Sequence, residues 1–236
     1  MSKGLFITFE GTEGCGKSTQ VTLLADRLRA LGHRVQTLRE PGGTPIGEEI
    51  RHTLKHSKDN AAMTAEAELL LMNASRAQLV REVIRPALAA GEIVVCDRFY
   101  DSTIAYQGYG RELDLPSVKS MVDFAVGGTR PNLTILLSVS VEVSEARRLA
   151  RCQAMLIDLP ASDKKTPPKL PFNEPLRDRM EEADRKFFER VARGYETLAA
   201  SEPQRVKTIN GTQPIEIVSA SIWEYVQPLL PRPGKR

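Results

Sequence analysis

Five short apolar runs are spaced along the chain, and residues with apolar positions at helical spacing lie between them. Runs of this length that lack strict alternation are typical of strands buried on both faces of a parallel sheet. Strand and helix in alternation predict an α/β fold, with a doubly wound five-stranded parallel sheet and helices on both faces. The predicted strands are Leu5–Phe9, Val35–Leu38, Ile93–Cys96, Leu133–Val139 and Val206–Ile209.

Three longer segments carry a helical pattern, and they are Thr64–Leu88, Asp178–Ala200 and Pro214–Leu230. The charged residue Arg76 interrupts the apolar stripe of the first. A binding role is one interpretation of Arg76, and a surface arginine whose aliphatic part covers the helix is the other.

Residues 153–175 break the alternation with five prolines and three lysines. Proline in the interior of a helix or a central strand removes a hydrogen bond, so this segment is predicted to be neither. We interpret it as an exposed loop inserted into a lid of about residues 147–179. A polyproline ligand for a partner domain is the alternative. The length of 236 residues fits a single domain over residues 1–236.

Composition restricts the choice of partners. Hydrophobic residues make up 41% of the chain and charged residues 27%, and the net charge of +3 is too small to indicate a nucleic-acid or membrane partner. Cytoplasmic location is expected because the sequence shows no apolar leader or span. The three cysteines form no C-x-x-C pair, which favours a reducing compartment and no structural metal.

A glycine-rich stretch directly after the first predicted strand matches the pattern G-x-x-x-x-G-K-[ST]. In the strand–loop–helix context, such a loop wraps its backbone N–H groups around the phosphates of a nucleoside triphosphate. Lys17 would bridge the β- and γ-phosphates, and the Ser18 hydroxyl would bind Mg²⁺. We refer to the stretch as the phosphate loop; its residues are Gly11, Thr12, Glu13, Gly14, Cys15, Gly16, Lys17, Ser18 and Thr19.

Charged residues follow two other predicted strands. Asp97 ends the third strand in the manner of a Walker B aspartate, which holds Mg²⁺. Arg98 comes next, and Arg39 ends the second strand. Two arginines beyond the lysine indicate a second phosphate to bind, and therefore phosphoryl transfer rather than hydrolysis. Glu13 is expected to point away from the triphosphate, toward a group such as an acceptor sugar hydroxyl.

Several segments together resemble the thymidylate kinase family over nearly the whole chain outside residues 153–175. They are Phe9–Thr19, Arg39–Thr44, Asp97–Phe99 with Ser102, Ala105–Gly108, Arg130–Thr134 and Asp178–Glu181. The combination of these motifs is far more specific than the phosphate loop alone.

This resemblance implies transfer of the γ-phosphoryl group of ATP to dTMP, with Mg²⁺, in a homodimer. It implies that Arg39 and Arg98 hold the dTMP phosphate and that Asp97 organises the metal. It places Glu13 at the 3′-hydroxyl and Tyr106, with Gln107 beside it, on the sugar. It further places Arg76 at a thymine carbonyl and Ser102 on the base edge.

The family has two arrangements of the basic residue that stabilises the transferred group, one in the phosphate loop and one in the lid. Thr12, Glu13 and Cys15 are not basic, so the resemblance implies a lid arginine, with Arg151 as first candidate and Arg147 as second. The chain departs from the family at Met72, where an aromatic residue usually stacks on thymine, and in its longer lid loop.

Two alternatives remain open at this stage. Another nucleoside monophosphate kinase would share most of these motifs. A nucleotide-dependent switch or a non-catalytic ATP sensor would share the phosphate loop, although the chain has no N-K-x-D element for guanine and retains Lys17, Asp97 and Arg98.

Overall fold

The computed structural model describes residues 4–57, 60–157 and 184–230, apart from the side chains of residues 61, 151, 152 and 154–157. Its centre is a sheet with the strands β1 (Leu5–Glu10), β2 (Val35–Arg39), β3 (Ile93–Asp97), β4 (Leu133–Ser138) and β5 (Val206–Asn210). The strands lie in the order β2-β3-β1-β4-β5, and every neighbouring pair is parallel. The predicted five-stranded parallel sheet is confirmed.

Helices connect and cover the strands. They are α1 (Lys17–Ala30), α2 (Pro45–Lys55), α3 (Ala65–Leu79), α4 (Arg85–Ala89), α5 (Tyr100–Thr103), α6 (Leu115–Val126), α7 (Val141–Ile157), α8 (Arg185–Ser201) and α9 (Ile215–Val226). Shorter helical turns span Asn60–Ala62 and Gln227–Leu229, and π-helical segments span Val80–Ile84 and Ile104–Gly110.

Side chains of the strands alternate between two cores, one on each face of the sheet. Phe6 and Val94 pack into the core that contains buried residues of α3, α6 and α8. Ile7 and Val95 pack into the opposite core, which contains buried residues of α1 and α9. Burial on both faces explains why the central strands β1, β3 and β4 are nearly continuous apolar runs. The expectation of burial on both faces is wrong for the edge strands β2 and β5, which are partly exposed and carry polar residues. Helices on both sides of the sheet are confirmed.

The predicted helix Thr64–Leu88 is present but not uniform. The hydroxyl of Thr64 caps α3 by accepting a hydrogen bond from the N–H of Ala67 at 3.2 Å. A π-helical segment then joins α3 to α4, immediately before Pro86. Proline cannot donate a backbone hydrogen bond, so a widened turn at this place keeps the helix continuous.

The prediction that residues 153–175 are non-helical is wrong for its first part, because α7 continues to Ile157. Residues 153–157 contain no proline or glycine, and the first proline of the segment is Pro160. The remainder of the predicted loop lies outside the described residues, as do residues 178–183 of the second predicted long helix. The single-domain assignment stays a prediction. Among the described residues, each helix is too short or too polar to cross a membrane.

Candidate active site

The phosphate loop connects β1 to α1 at the carboxyl edge of the sheet. Gly11 has φ +132°, and a Cβ there would lie 2.3 Å from the carbonyl oxygen of Leu137, so the position requires glycine. The buried Lys17 Nζ donates hydrogen bonds to the carbonyl oxygens of Gly11 (2.9 Å) and Thr12 (2.8 Å). The ammonium group therefore lies inside the curve of the loop, where phosphates bind in loops of this type.

The two side chains that the sequence predicts to bind the metal lie together beside this loop. Pairing of β1 with β3 places Asp97 opposite Phe9, next to the start of the phosphate loop. The Ser18 hydroxyl, in the first turn of α1, donates to Asp97 Oδ2 at 2.8 Å. Hydroxyl and carboxylate oxygens are the ligand types that Mg²⁺ prefers, so the pair fits this ion.

Arg98 is held in a strained backbone conformation with φ +71°. Its Nη1 donates to the carbonyl oxygen of Gly11 at 3.0 Å, and its Nη2 donates to Glu13 Oε1 at 2.7 Å. Burial opposes the positive charge, but the nearby Tyr106 hydroxyl and Glu13 carboxylate outweigh it and raise the pKa of Arg98. A permanently charged guanidinium thus lies against the phosphate loop.

Glu13 belongs to the phosphate loop, yet its carboxylate is directed toward Arg98 and Tyr106. The Tyr106 hydroxyl donates to Glu13 Oε2 at 2.6 Å, and Arg98 lies 5.1 Å from the centre of the Tyr106 ring. Arg98 and Tyr106 therefore lie against a carboxylate that the loop itself supplies.

A pocket opens beside these three side chains, and we call it the Arg98 pocket. It is lined by Glu13, Glu40, Pro41, Lys55, Met72, Arg76, Arg98, Phe99, Ser102, Thr103, Tyr106 and Gln107. The structure thus brings together seven of the eight predicted acceptor-binding residues.

Arg39 is the predicted acceptor-binding residue that does not line the pocket. Its Nη2 donates to Glu48 Oε2 at 2.9 Å, and its Nη1 donates to the carbonyl oxygen of Pro41 at 3.1 Å. The side chains of Arg39 and Glu48 are both about half exposed, at 48% and 45%. The pair lies in solvent, close to a residue of the pocket wall.

Arg76 is 2% exposed, so the alternative of a surface arginine is wrong. Its Nε and Nη2 both donate to Glu40 Oε2, at 2.8 and 2.6 Å. The remaining N–H groups are directed at Asn73 Oδ1, Thr103 Oγ1 and the carbonyl oxygen of Phe99. Burial raises the pKa of Glu40, whereas the attraction of Arg76 opposes the shift. The guanidinium is fixed as part of the pocket wall by contacts on every side.

Gln107 is also fixed from outside the pocket. Its Nε2 donates at 2.8 Å to the fully buried carboxylate of Glu68, which also accepts hydrogen bonds from Arg111. With the amide nitrogen held in this way, the side-chain oxygen of Gln107 has no hydrogen-bond partner among the described residues.

Of the two lid arginines predicted from the sequence, the structure describes the side chain of one. Arg147 Nη1 donates to the carbonyl oxygens of Gly14, at 3.3 Å, and Gly211, at 2.9 Å, so α7 places this guanidinium against the phosphate loop. The side chain of Arg151, one turn further along α7, lies outside the described residues.

Comparison with known proteins identifies the family. The model of the thymidylate kinase family matches residues 9–222. The chain belongs to the thymidylate kinase family. It is 43% identical to the thymidylate kinase of Deinococcus radiodurans, with coverage of 96% of this chain and 98% of the other. It is also 43% identical to that of Geobacter sulfurreducens, with coverage of 97% and 99%.

A solved structure agrees with this assignment. The thymidylate kinase from Ehrlichia chaffeensis superposes with a TM-score of 0.70 and 29% identity, covering 95% of this chain and 99% of the other. As a member of the thymidylate kinase family, the protein is a phosphoryl-transferring enzyme with a P-loop NTPase fold, and the alternative of a non-catalytic switch is discarded.

Sequence reasoning missed Glu10, Glu40 and Thr103 as residues of the site. Glu10 ends the apolar strand β1, which is a signal for a buried functional carboxylate, whereas Glu40 directly follows the partly polar strand β2 and has no such signal. Thr103 lines the pocket and accepts from Arg76 at 2.9 Å, whereas the hydroxyl of its neighbour Ser102 donates to Glu10 Oε2 at 2.5 Å. Sequence alone cannot tell which of two adjacent hydroxyls bonds to Arg76 and which to Glu10.

Glu10, the last residue of β1, is fully buried, and its pKa is raised to about 7. Burial is the largest cause, and the Asp101 carboxylate adds to it. Arg98 and hydrogen bonds from Ser102 and Phe99 act in the opposite direction. Because the pKa of Glu10 is higher in the folded protein than in the unfolded chain, protonation of Glu10 stabilises the fold. This stabilisation is fully present below the ordinary pKa of 4.5 and is lost as the pH rises through about 7.

The substitution Glu10→Gln removes this titration. Relative to Glu10→Gln, the free energy of unfolding of the wild type is expected to fall by about 2 kcal/mol between about pH 5.5 and about pH 8.5. Urea denaturation at both pH values measures it, with the exposed Glu66→Gln as control. Parallel pH dependences for wild type and Glu10→Gln would contradict the raised pKa.

Proposed function

We propose that this enzyme transfers the γ-phosphoryl group of ATP to dTMP, giving ADP and dTDP, and that it requires Mg²⁺. One observation carries the proposal: Glu13 and Arg98 join the phosphate loop to the Arg98 pocket, through contacts of 2.7 Å between them and 3.0 Å from Arg98 to Gly11. An acceptor phosphate bound by Arg98 is therefore next to the loop that binds the donor, as in-line transfer requires.

The donor side consists of the phosphate loop, residues Gly11 to Thr19. Lys17 would exchange its two carbonyl contacts for the β- and γ-phosphates of ATP. Ser18 and Asp97 would hold Mg²⁺ together with phosphate oxygens and water, because Mg²⁺ is usually bound by one or two protein groups at such sites. Bound there, the ion would neutralise charge that develops on the phosphates.

The acceptor side consists of the Arg98 pocket and Arg39. Arg98 would bind the dTMP phosphate bidentately. Arg39 would join it by releasing Glu48, an exposed ion pair of a kind that contributes at most about 1 kcal/mol. Glu13 would accept from the sugar 3′-hydroxyl.

The nucleoside would occupy the rest of the Arg98 pocket. Tyr106 and Gln107 would lie along the sugar, where Tyr106 would exclude a 2′-hydroxyl. Ser102 and Met72 would contact the base, and Met72 offers a soft apolar surface in place of an aromatic ring. Arg76 would bind a thymine carbonyl by releasing one of its present acceptors, such as the carbonyl oxygen of Phe99 at 3.3 Å.

Arg151 would stabilise charge on the transferred group from the lid. Arg151→Ala is predicted to lower kcat by about 100-fold and to raise the KM for ATP by less than about threefold, because the contact forms in the transition state. A coupled assay for ADP release measures both, with Arg147→Ala as the competing variant. An unchanged kcat for Arg151→Ala would refute the assignment, and a large fall for Arg147→Ala alone would transfer the role to Arg147.

A homodimer in the cytoplasm completes the proposal. Two neighbouring helices, α3 and α6, expose large apolar side chains, namely Leu70 (56% exposed), Met121 (38%) and Phe124 (82%). Such residues are typical of an interface. Light scattering after size-exclusion chromatography tests the dimer.

The free, buried thiols of Cys15 and Cys96 are compatible with a reducing compartment such as the cytoplasm.

The function is tested by ADP release with dTMP, dUMP, UMP, CMP and AMP as acceptors, and with no acceptor. The proposal expects dTMP to give the highest kcat/KM and the reaction without acceptor to be negligible. Preference for CMP or AMP would favour a different nucleoside monophosphate kinase. ADP release that does not depend on an acceptor would contradict phosphoryl transfer to a nucleotide.

A further inference from the structure

Helix α8 contributes one polar side chain to the site, the phenol of Tyr195, whose ring packs in the core at 4% exposure. The Tyr195 hydroxyl lies 2.9 Å from Glu10 Oε2, 3.0 Å from Ser102 Oγ and 3.3 Å from Arg98 Nη1. Tyr195 thus contacts the last residue of β1, the residue directly after β3 and a residue of α5, although it follows Arg98 by 97 positions in the chain.

The hydrogen bonds around this hydroxyl have a defined direction. A phenol has one hydrogen to donate and lone pairs with which to accept, whereas arginine only donates. Arg98 therefore donates to Tyr195, and the single O–H of Tyr195 is free to donate to Glu10. Ser102 also donates to Glu10 Oε2, at 2.5 Å. The phenol bridges the buried carboxylate of Glu10 and the partly buried guanidinium of Arg98.

Arg98 depends on such contacts for its orientation. With φ at +71° its backbone is in a region that residues with side chains rarely adopt. Such a conformation persists only when the surrounding structure imposes it. The Arg98 guanidinium donates hydrogen bonds to Gly11 and Glu13 of the phosphate loop and to Tyr195 of α8, and these bonds restrict its orientation.

We infer that Tyr195 is a positioning residue for phosphoryl transfer, whose hydroxyl holds the Arg98 guanidinium in place from α8, both directly and through Ser102. The inference rests on the proposed function, in which Arg98 binds the acceptor phosphate. The Tyr195 hydroxyl itself does not touch either substrate in this assignment. It sets the position of the group that does.

Tyr195→Phe removes the hydroxyl and keeps the ring that packs edge-on against Tyr106, at 6.3 Å between centroids. We expect the KM for dTMP to rise about tenfold and kcat to fall about threefold, because hydrogen bonds to charged groups are the stronger ones. The KM for ATP is expected to stay within about twofold, since the hydroxyl does not contact Lys17 or Ser18.

The matched control is Tyr109→Phe. Tyr109 lies in the π-helical segment Ile104–Gly110, and its ring packs against Gly194 of α8, but its hydroxyl is not part of the bridge. Both KM values and kcat are expected to stay within about twofold of the wild type.

A double-mutant cycle separates positioning of Arg98 from an independent effect. If Tyr195 acts through Arg98, adding Tyr195→Phe to Arg98→Lys lowers kcat/KM for dTMP by less than about twofold further. If Tyr195→Phe lowers kcat/KM for dTMP in the Arg98→Lys background by as much as it does in the wild type, the inference is overturned.

Two other outcomes would also overturn it. One is wild-type kinetics for Tyr195→Phe, and the other is a lowered Tm with equal losses toward ATP and dTMP, which would indicate a purely structural role. Failure of the proposed function is distinguishable, because the wild type itself would then not phosphorylate dTMP.

Discussion

Arg98→Ala is expected to lower kcat/KM for dTMP by about three orders of magnitude, because it removes two hydrogen bonds to the charged acceptor phosphate, each of which contributes about 1.5–3 kcal/mol. The substitution removes the planar group that would bind the acceptor phosphate. It also removes the ion pair that Arg98 forms at 2.7 Å with the Glu13 carboxylate of the phosphate loop. Both changes destabilise the same transition state, which explains the size of the effect.

The Arg98→Ala experiment has two comparison variants. Arg98→Lys keeps the charge but cannot reproduce the fork that contacts both Gly11 and Glu13, so its loss is expected to be smaller, about 100-fold. The exposed Arg130, ion-paired with Asp123, provides a control, and Arg130→Ala is expected to stay within about twofold. Steady-state kinetics measure all three variants. A loss of less than about tenfold for Arg98→Ala would exclude Arg98 from the reaction.

The second large effect concerns stability and the buried pair of Glu40 and Arg76. These side chains are 3% and 2% exposed, and their charged atoms are 2.6 Å apart. Arg76→Met is expected to lower the free energy of unfolding by about 3–5 kcal/mol at about pH 8, because it leaves a buried carboxylate without its counter-charge. Urea denaturation measures the loss.

The loss caused by Arg76→Met is expected to depend on pH. Burial already raises the pKa of Glu40, and removal of Arg76 raises it further because the attraction that opposes the shift disappears. A carboxyl whose folded pKa is raised stabilises the fold below that pKa, so the loss should be smaller at about pH 5 than at about pH 8.

Arg29→Met is the matched control for the buried pair. Arg29 and Asp26 form an exposed ion pair at 3.2 Å, with side chains 45% and 65% exposed, so the expected loss is below about 1 kcal/mol. A loss of similar size for Arg76→Met would show that the buried pair does not support the pocket wall.

The sheet and the phosphate loop were predictable because each is encoded in a short window of sequence. An apolar run such as Ile93–Cys96 is recognisable without its neighbours, since a strand buried on both faces needs apolar residues at every position. Gly11, Lys17 and Ser18 stand at fixed spacing, because one turn and one helix start suffice to cradle a phosphate. The helix Thr64–Leu88 was likewise predicted, apart from its widened turn before Pro86.

The end of α7 shows where a local rule was applied too broadly. Prolines at 160 and beyond were taken to prevent helix from residue 153 onward, but a proline disturbs only the turn that precedes it. Residues 153–157 have no such neighbour and continue the helix to Ile157.

The sequence by itself determined the fold class, the donor loop and the presence of a second set of arginines beyond Lys17. Only the tertiary structure decided how the site is held: Tyr195 bonds to Glu10 across 185 positions, and Arg76 bonds to Glu40 across 36. Such pairs depend on strand order and helix packing, which no local window contains. Adjacent residues on a helix also point about 100° apart, so Thr103 rather than Ser102 turns its hydroxyl toward Arg76. The sequence predicts which groups bind phosphate, and the packing of α8 and α3 against the sheet determines where the side chains of the site point.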